Sequence, residues 1–251
     1  MKKFLVFFLF LLGLVFNGTG LYSQELSGGD ILRKVDANLV ADNRVGVGSM
    51  VIRGARATRT IQARTWAQGT DKAFTQYLAP PREEGTKMLK LKDELWTYTP
   101  STDRTIMIAG HMLRQSMSGS DISYEDYMED PRLSNIYDAQ LQGEEQVGDR
   151  PCYVLKLAAR PNMDVAYEVR KLWVDQERFI PLRQEFYARS GMLLKTMVVN
   201  EVFKVEDRWY PKRMNYKDVM VDGSGTDLIT ESIQFNVSIP DYVFTKASLR
   251  R

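Results

Sequence analysis

The sequence predicts a mainly β protein of the α+β class: a strongly curved antiparallel sheet, or incompletely closed barrel, whose apolar side is covered by a few short helices. Three observations predict it. From Val47 onward the chain runs in short segments rich in Val, Ile, Thr and aromatic residues, broken by Gly, Pro, Asp and Asn. Several breaks, including Gly148-Asp149, Arg189-Ser190-Gly191 and Glu206-Asp207-Arg208, are short enough for hairpins, so successive strands should form an antiparallel meander. Helical patterning is confined to three places, too few to cover a flat sheet with one apolar face, so the sheet must curl over what it has. Such a shape either packs solid or encloses a ligand cavity, and the residue pattern leaves both open.

The elements follow in chain order. Lys2 and Lys3, the apolar runs 4–12 and 14–16 and a polar stretch to residue 24 read as a secretory signal peptide over 1–23. The run is shorter than the roughly 20 residues of a permanent membrane span. Residues 24–251 are then expected to form a single domain, with no repeat or linker. A helix is expected over 27–41, where Ile31, Leu32, Val35, Leu39 and Val40 approach one face and Ser27 or Asp30 can cap the start. Strands are expected at 46–55, 58–68, 71–79, 85–91, 94–99 and 103–109. The period then changes. An insert over 110–131 is rich in Met, Ser and Gly, and after Gly119-Ser120-Asp121 it places Tyr124, Tyr127 and Met128 at helical spacing. Strands resume at 137–147, 150–159, 167–175, 181–188, 192–205, 209–220 and 227–237, and the tail from Pro240 is the third place for helix. In the last strand Ile229, Ile233, Phe235 and Val237 share one parity, which predicts one apolar face; Trp96 and Tyr98 share a face opposite Leu95.

Charge and rare residues narrow the function classes. With Lys2 and Lys3 cleaved away, the basic residues balance the 32 Asp and Glu, which argues against a nucleic-acid binder. Arg53, Arg56, Arg59 and Arg64 form a basic cluster expected on a solvated strand face. Cys152 is the single cysteine, so no internal disulfide can form and the thiol is expected to be buried. His111 is the single histidine. It neighbours Ser116, Ser118, Ser120 and Asp121, yet no nucleophile elbow surrounds them, so a triad hydrolase is the third-ranked reading. The adjacent carboxylates Glu83-Glu84 and Glu144-Glu145 lie on or near strands, where neighbours point to opposite faces and cannot flank one bond. No metal-ligand spacing occurs. Neither catalytic residues nor a cofactor or metal are expected, and the protein reads as a binding protein rather than an enzyme. Met88, Met107, Met112, Met117 and Met128 crowd the central stretch with Trp96, Tyr98, Tyr124 and Tyr127, either as core or as an adaptable ligand surface.

The string PPREEGT from Pro80, the string LWTYTP from Leu95, Arg104 and the run QSMSGSDISYED from Gln115 together resemble the LolA-like outer membrane lipoprotein-sorting family. Leu172-Trp173-Val174-Asp175 with Pro181, Arg183, Glu185, Tyr187, Gly191 and Lys195 resembles a strand–turn–strand segment of the same family, so the resemblance covers nearly the whole mature chain. It implies an unclosed LolA/LolB-like β-barrel whose helices close a hydrophobic cavity, in a periplasmic protein. It further implies a carrier of acylated lipoprotein or lipid cargo, working between an inner-membrane transporter of lipoprotein-release or RND type and an outer-membrane acceptor. The alternative is an envelope regulatory or assembly module of the same fold that senses lipid or protein. The residues expected to line or cover the cavity are Trp96, Tyr98, Ile106, Ile108, Ile233 and Phe235 in strands, and Met112, Met117, Tyr124, Tyr127 and Met128 in a lid hinged near Gly110 and Gly119. The family holds its lid closed with an arginine on an early strand, for which Arg53, Arg56 and Arg59 all remain candidates.

Overall fold

Ser27 starts the first helix by a reciprocal cap: its side chain accepts from the Asp30 amide while Asp30 accepts from the Ser27 amide. The helix, α1 (Gly28–Leu39), buries Ile31, Leu32 and Val35, the face that the apolar spacing predicts. The structure, a computed structural model, describes residues 26–54, 57–223 and 225–251; the signal peptide expected over 1–23 and Arg56 lie outside the described residues.

Six strands precede the insert: β1 (Asn43–Arg53), β2 (Thr58–Gln68), β3 (Lys72–Ala79), β4 (Lys87–Leu91), β5 (Glu94–Thr99) and β6 (Arg104–Ile108). Seven follow it: β7 (Tyr137–Val147), β8 (Arg150–Ala159), β9 (Val169–Asp175), β10 (Pro181–Tyr187), β11 (Leu193–Val205), β12 (Arg208–Asp218) and β13 (Thr226–Phe235). All thirteen pair antiparallel in one sheet, in the order β6-β5-β4-β3-β2-β1-β13-β12-β11-β10-β9-β8-β7. The fold is thus the mainly β, unclosed antiparallel sheet expected of the sequence. The connectivity differs from a single meander. Two meanders are fused by β1 pairing with β13, a contact between chain ends that no local turn signal announces. The edges are therefore β6 and β7, and the segment that links them in sequence, 109–136, is the insert. Between the edges it folds into two 3-10 turns, Gly110–Arg114 and Met117–Gly119, followed by α2 (Tyr124–Met128) and α3 (Leu133–Ile136).

The sheet has an inner face toward the insert and an outer face. On β1 to β6, Met50, Ile61, Tyr77, Met88, Leu95 and Ile108 point inward and gather around Ile122 of the insert. Their sequence neighbours Val45, Trp66, Phe74, Leu89 and Trp96 point outward, where the C-terminal tail covers them through Ile239, Phe244 and Leu249. The tail was expected to plug the concave side; the pairing of Leu89 with Phe74 and of Phe74 with Trp66 shows that it seals the other face. At the far half, α1 and α3 pack on Tyr137, Leu155, Leu157, Leu172 and Val174.

The last strand does not keep one parity. Val47 pairs with Ser232 and Gly48 with Thr230, so Glu231 is the extra residue of a bulge. It shifts the alternation by one: Leu228, opposite Met50, and Ile233, opposite Gly46, both face inward, whereas Ile229 falls opposite Ser49. A strict two-residue period puts Ile229 and Ile233 on the same side and so misassigns one of them. The basic cluster is likewise divided. Arg53 turns outward to Asp227 at 2.6 Å and Arg64 lies over the outer Trp66 ring, whereas Arg59 turns inward to the insert.

Candidate functional site

Beneath the insert the inner face forms a partly open cavity of about 380 Å³. Its walls are mostly apolar: Met50, Ile61, Ala63, Tyr77 and Met88 from the first meander, Met214, Tyr216 and Leu228 from the second, and Met117, Ile122 and Tyr127 from the insert. The volume falls at the lower end of the ~300–1,000 Å³ common for small-molecule sites. Small residues, Gly48, Ala63 and Thr65, form part of its floor on β1 and β2, and at Gly48 a Cβ would lie 2.8 Å from the Ile229 carbonyl of β13. Burial pushes the Tyr77 hydroxyl up to about 12, so it stays neutral inside the cavity.

The lid is fastened at five points. Arg59 donates to the Ser118 carbonyl and pairs with Glu83 at 3.1 Å. Asp121 accepts from the Thr226 hydroxyl at 2.7 Å and from the Asp218 amide at 3.0 Å, which ties the lid to β12 and β13. Asp126 closes the capping box of α2 with Ser123 and accepts from Lys195 Nζ and the Tyr167 hydroxyl, each at 2.5 Å. Burial disfavours that carboxylate, but Lys195, Tyr167 and the Ser123 amide outweigh it and hold the group below the ordinary carboxylate range. Glu129, just past α2, pairs with Arg170, which is 3 % exposed and surrounded by the rings of Tyr137, Tyr167 and Phe186. Lys90 reaches up to the Met128 carbonyl at 2.8 Å. The motif that suggested a family therefore has a structural meaning: Asp121 and Asp126 are two of the fasteners of the lid, and Ser123 caps its helix.

Of the expected cavity residues, the structure brings Ile108, Met112, Met117, Tyr124, Tyr127 and Met128 into one inner cluster. Tyr127 also lines the cavity and shares a hydrogen bond with Thr75 at 3.0 Å. Ile106 shares the inner parity but sits on the edge strand at 44 % exposure. Ile233 faces inward against Gly46, and Phe235 is buried behind Tyr210, a cavity-lining ring 5.5 Å away. Trp96 and Tyr98 are not brought to the cavity. They lie on the outer face under the tail, with Lys246 3.9 Å above the Trp96 ring and Lys87 5.7 Å from that of Tyr98. Aromatic character alone does not say which face of a strand is inner; the alternation with Leu95, which is fully buried inside, is the signal that could have said so. Arg170, Lys90 and Tyr216 are the inner residues that sequence reasoning missed, since a buried cation carries no local signature.

His111 is exposed and makes no hydrogen bond to Ser116, Ser118, Ser120 or Asp121. Cys152 is fully buried as expected, and burial pushes its thiol up to about 11. No helix among the described residues is long and apolar enough to cross a membrane.

An unclosed antiparallel sheet with both edges bridged by one insert defines the fold, and solved structures share it. A DUF1329 family protein from Desulfovibrio piger superposes with a TM-score of 0.79 at 22 % identity, covering 88 % of this chain and 97 % of its own. An outer membrane lipoprotein-sorting protein domain from Vibrio parahaemolyticus gives 0.76 at 23 %, covering 89 % and 98 %. A LolA superfamily protein from Nitrosomonas europaea gives 0.74 at 24 %, covering 89 % and 99 %. The resemblance to the LolA-like family read from the sequence thus holds for the fold. No curated protein matches the sequence. A family model described as an uncharacterized "-like" protein matches residues 69–251, and the chain belongs to that family.

Proposed function

We propose that the protein is a non-enzymatic periplasmic carrier that holds acyl chains of a lipoprotein or lipid in the cavity beneath the lid and delivers them toward the outer membrane. The observation that carries the reading is the cavity itself: about 380 Å³ of largely apolar space, partly covered by a lid held through polar contacts. Apolar space left unfilled costs its lining dispersion contacts, which an acyl chain would restore. The energetics suit the task. Each acyl CH₂ taken from water is worth ~0.8 kcal/mol, so a chain of about 16 carbons needs roughly 12 kcal/mol of shelter. Release then requires the lid to exchange its own Met and Tyr side chains for the cargo, which polar fasteners permit without loss of the sheet. Periplasmic residence rests on the expected signal peptide, and the partners on the resemblance of the sequence to the LolA-like family: an inner-membrane transporter of lipoprotein-release or RND type and an outer-membrane acceptor.

Native mass spectrometry of the protein purified from its own cell envelope tests the reading, with Ala63→Leu as the contrast. Ala63 lines the cavity, so the larger side chain should fill it. The expected result is co-purifying lipid on the wild type, at least about tenfold less on the variant, and a melting temperature equal or higher for the variant. Wild-type protein that carries no lipid but a stoichiometric protein partner would instead support the regulatory module.

A further inference from the structure

A second chamber of about 320 Å³ adjoins the apolar cavity; Thr65, Asp126, Tyr127, Tyr210, Met214 and Tyr216 line both. Its character is different. Four cations line it, Arg44, Lys72, Lys90 and Arg170, against the two carboxylates of Asp126 and Glu129. Both carboxylates are already engaged: Glu129 by Arg170, and Asp126 by Lys195, which reaches it from outside the lining. Among the described residues no carboxylate pairs with Arg44 or Lys90.

Lys90 is the more telling of the two. It is 6 % exposed, and two of its three ammonium donors go to the carbonyls of Met128 and Glu129. Carbonyls satisfy hydrogen bonds but do not neutralise a charge. Burial pulls the Lys90 ammonium below its ordinary value more strongly than the distant carboxylates of Asp130, Asp71 and Asp93 restore it. A buried cation without a counter-ion is unfavourable, and a site that retains one gains when an anion arrives. Across the same chamber Gln184 is 7 % exposed, and its side-chain oxygen has no hydrogen-bond partner. That is a buried polar group left unsatisfied until something enters.

From this juxtaposition we infer that the cargo is an anionic amphiphile, its phosphate or carboxylate head held by Lys90 and Arg44 with a polar group on Gln184, and its acyl chains in the adjoining apolar cavity. This rests on the carrier reading and names the class of cargo. A neutral acyl chain needs only the first cavity. An anionic head gives the second chamber its counter-ion, and the polar group satisfies Gln184.

The test uses the mature protein and sonicated vesicles of two compositions with identical palmitoyl-oleoyl chains, phosphatidylglycerol or phosphatidylcholine, with extracted lipid quantified after re-isolation of the protein. The wild type should extract at least about tenfold more phosphatidylglycerol than phosphatidylcholine at low salt, the equivalent of one charge-assisted contact. Arg44→Gln and Lys90→Gln should each bring that ratio toward one. Arg44 is partly exposed and its variant keeps the lid contacts of Lys90, so the ratio remains readable if Lys90→Gln folds poorly. Equal extraction of both lipids by the wild type, or extraction of neither, overturns this inference; the carrier reading falls only if the native protein also co-purifies with neither lipid nor lipoprotein. Titration with inorganic phosphate alone separates the sources of the anion: no measurable binding supports a lipid head, and phosphate binding as tight as that of the lipid overturns it.

Discussion

Asp126 shows how much a single side chain can organise. It caps α2 through Ser123, neutralises Lys195 and accepts from Tyr167, so it joins the lid to β11 and to the segment before β9. Asp227 does the same on the outer face, where it takes Arg53 at 2.6 Å, Arg213 at 2.5 Å and Asn215 at 2.7 Å while its side chain is only 5 % exposed. The Arg53 guanidinium foremost, with Asn215 and Arg213, holds this carboxyl well below the usual carboxylate range. The folded state therefore binds its proton less readily than the unfolded chain, whose aspartates titrate near about 3.9. The stability Asp227 contributes is complete above that value and is lost as pH falls toward the folded pKa. Asp227→Asn should lower stability at neutral pH and flatten its loss between about pH 4 and pH 2. Urea unfolding of both proteins across that range measures it; parallel curves would rule the linkage out.

At the scale of elements, the lid is the least self-sufficient piece of the fold. Two 3-10 turns and a helix of five residues cannot hold their shape by backbone hydrogen bonds alone. The capping box stands in for length, and Gly110 and Gly119, both in the left-handed region, let the chain reverse around it. Removing the cap with Ser123→Ala should cost the lid about 1 kcal/mol. Hydrogen exchange should then speed up roughly fivefold for the amides of α2 and hardly at all in β8 to β11, since local opening draws only on local contacts. Uniform acceleration across the sheet would show instead that lid and sheet open as one. The motif strings before the lid have a comparable role. Gly85 of the first string sits against Pro100 of the second, where an added Cβ would lie 3.1 Å from the proline ring, so the two strings are one packed corner.

Seen whole, the molecule solves two burial problems with one sheet. The inner face is left partly unfilled, and on the outer face of the first meander the C-terminal tail adds buried apolar contacts through Ile239, Phe244 and the fully buried Leu249. Leu249→Ala should cost about 2–5 kcal/mol. Denaturant unfolding reads that loss, and lipid extraction per folded molecule should be unchanged because the residue lies across the sheet from the cavity. A matching loss of lipid would mean the two faces are coupled.

Much of this was determined by the sequence alone. Each of the thirteen strands, α1 with its Ser27 cap and the change of period after Ala109 were legible because hydrogen-bonded turns, capping boxes and side-chain alternation are local and leave their residue types in order along the chain. Helical spacing likewise put Tyr124, Tyr127 and Met128 on one face, and all three pack in the inner cluster. What only the tertiary structure decided is non-local. The pairing of β1 with β13 joins residues about two hundred positions apart, the Glu231 bulge inverts the end of a strand, and Trp96 and Tyr98 face outward because the tail returns to cover them. Arg170, Lys90 and Gln184 meet in one chamber only after the sheet has curled. Periodicity tells which residues share a face, whereas which face becomes the inside depends on what the rest of the chain brings to it.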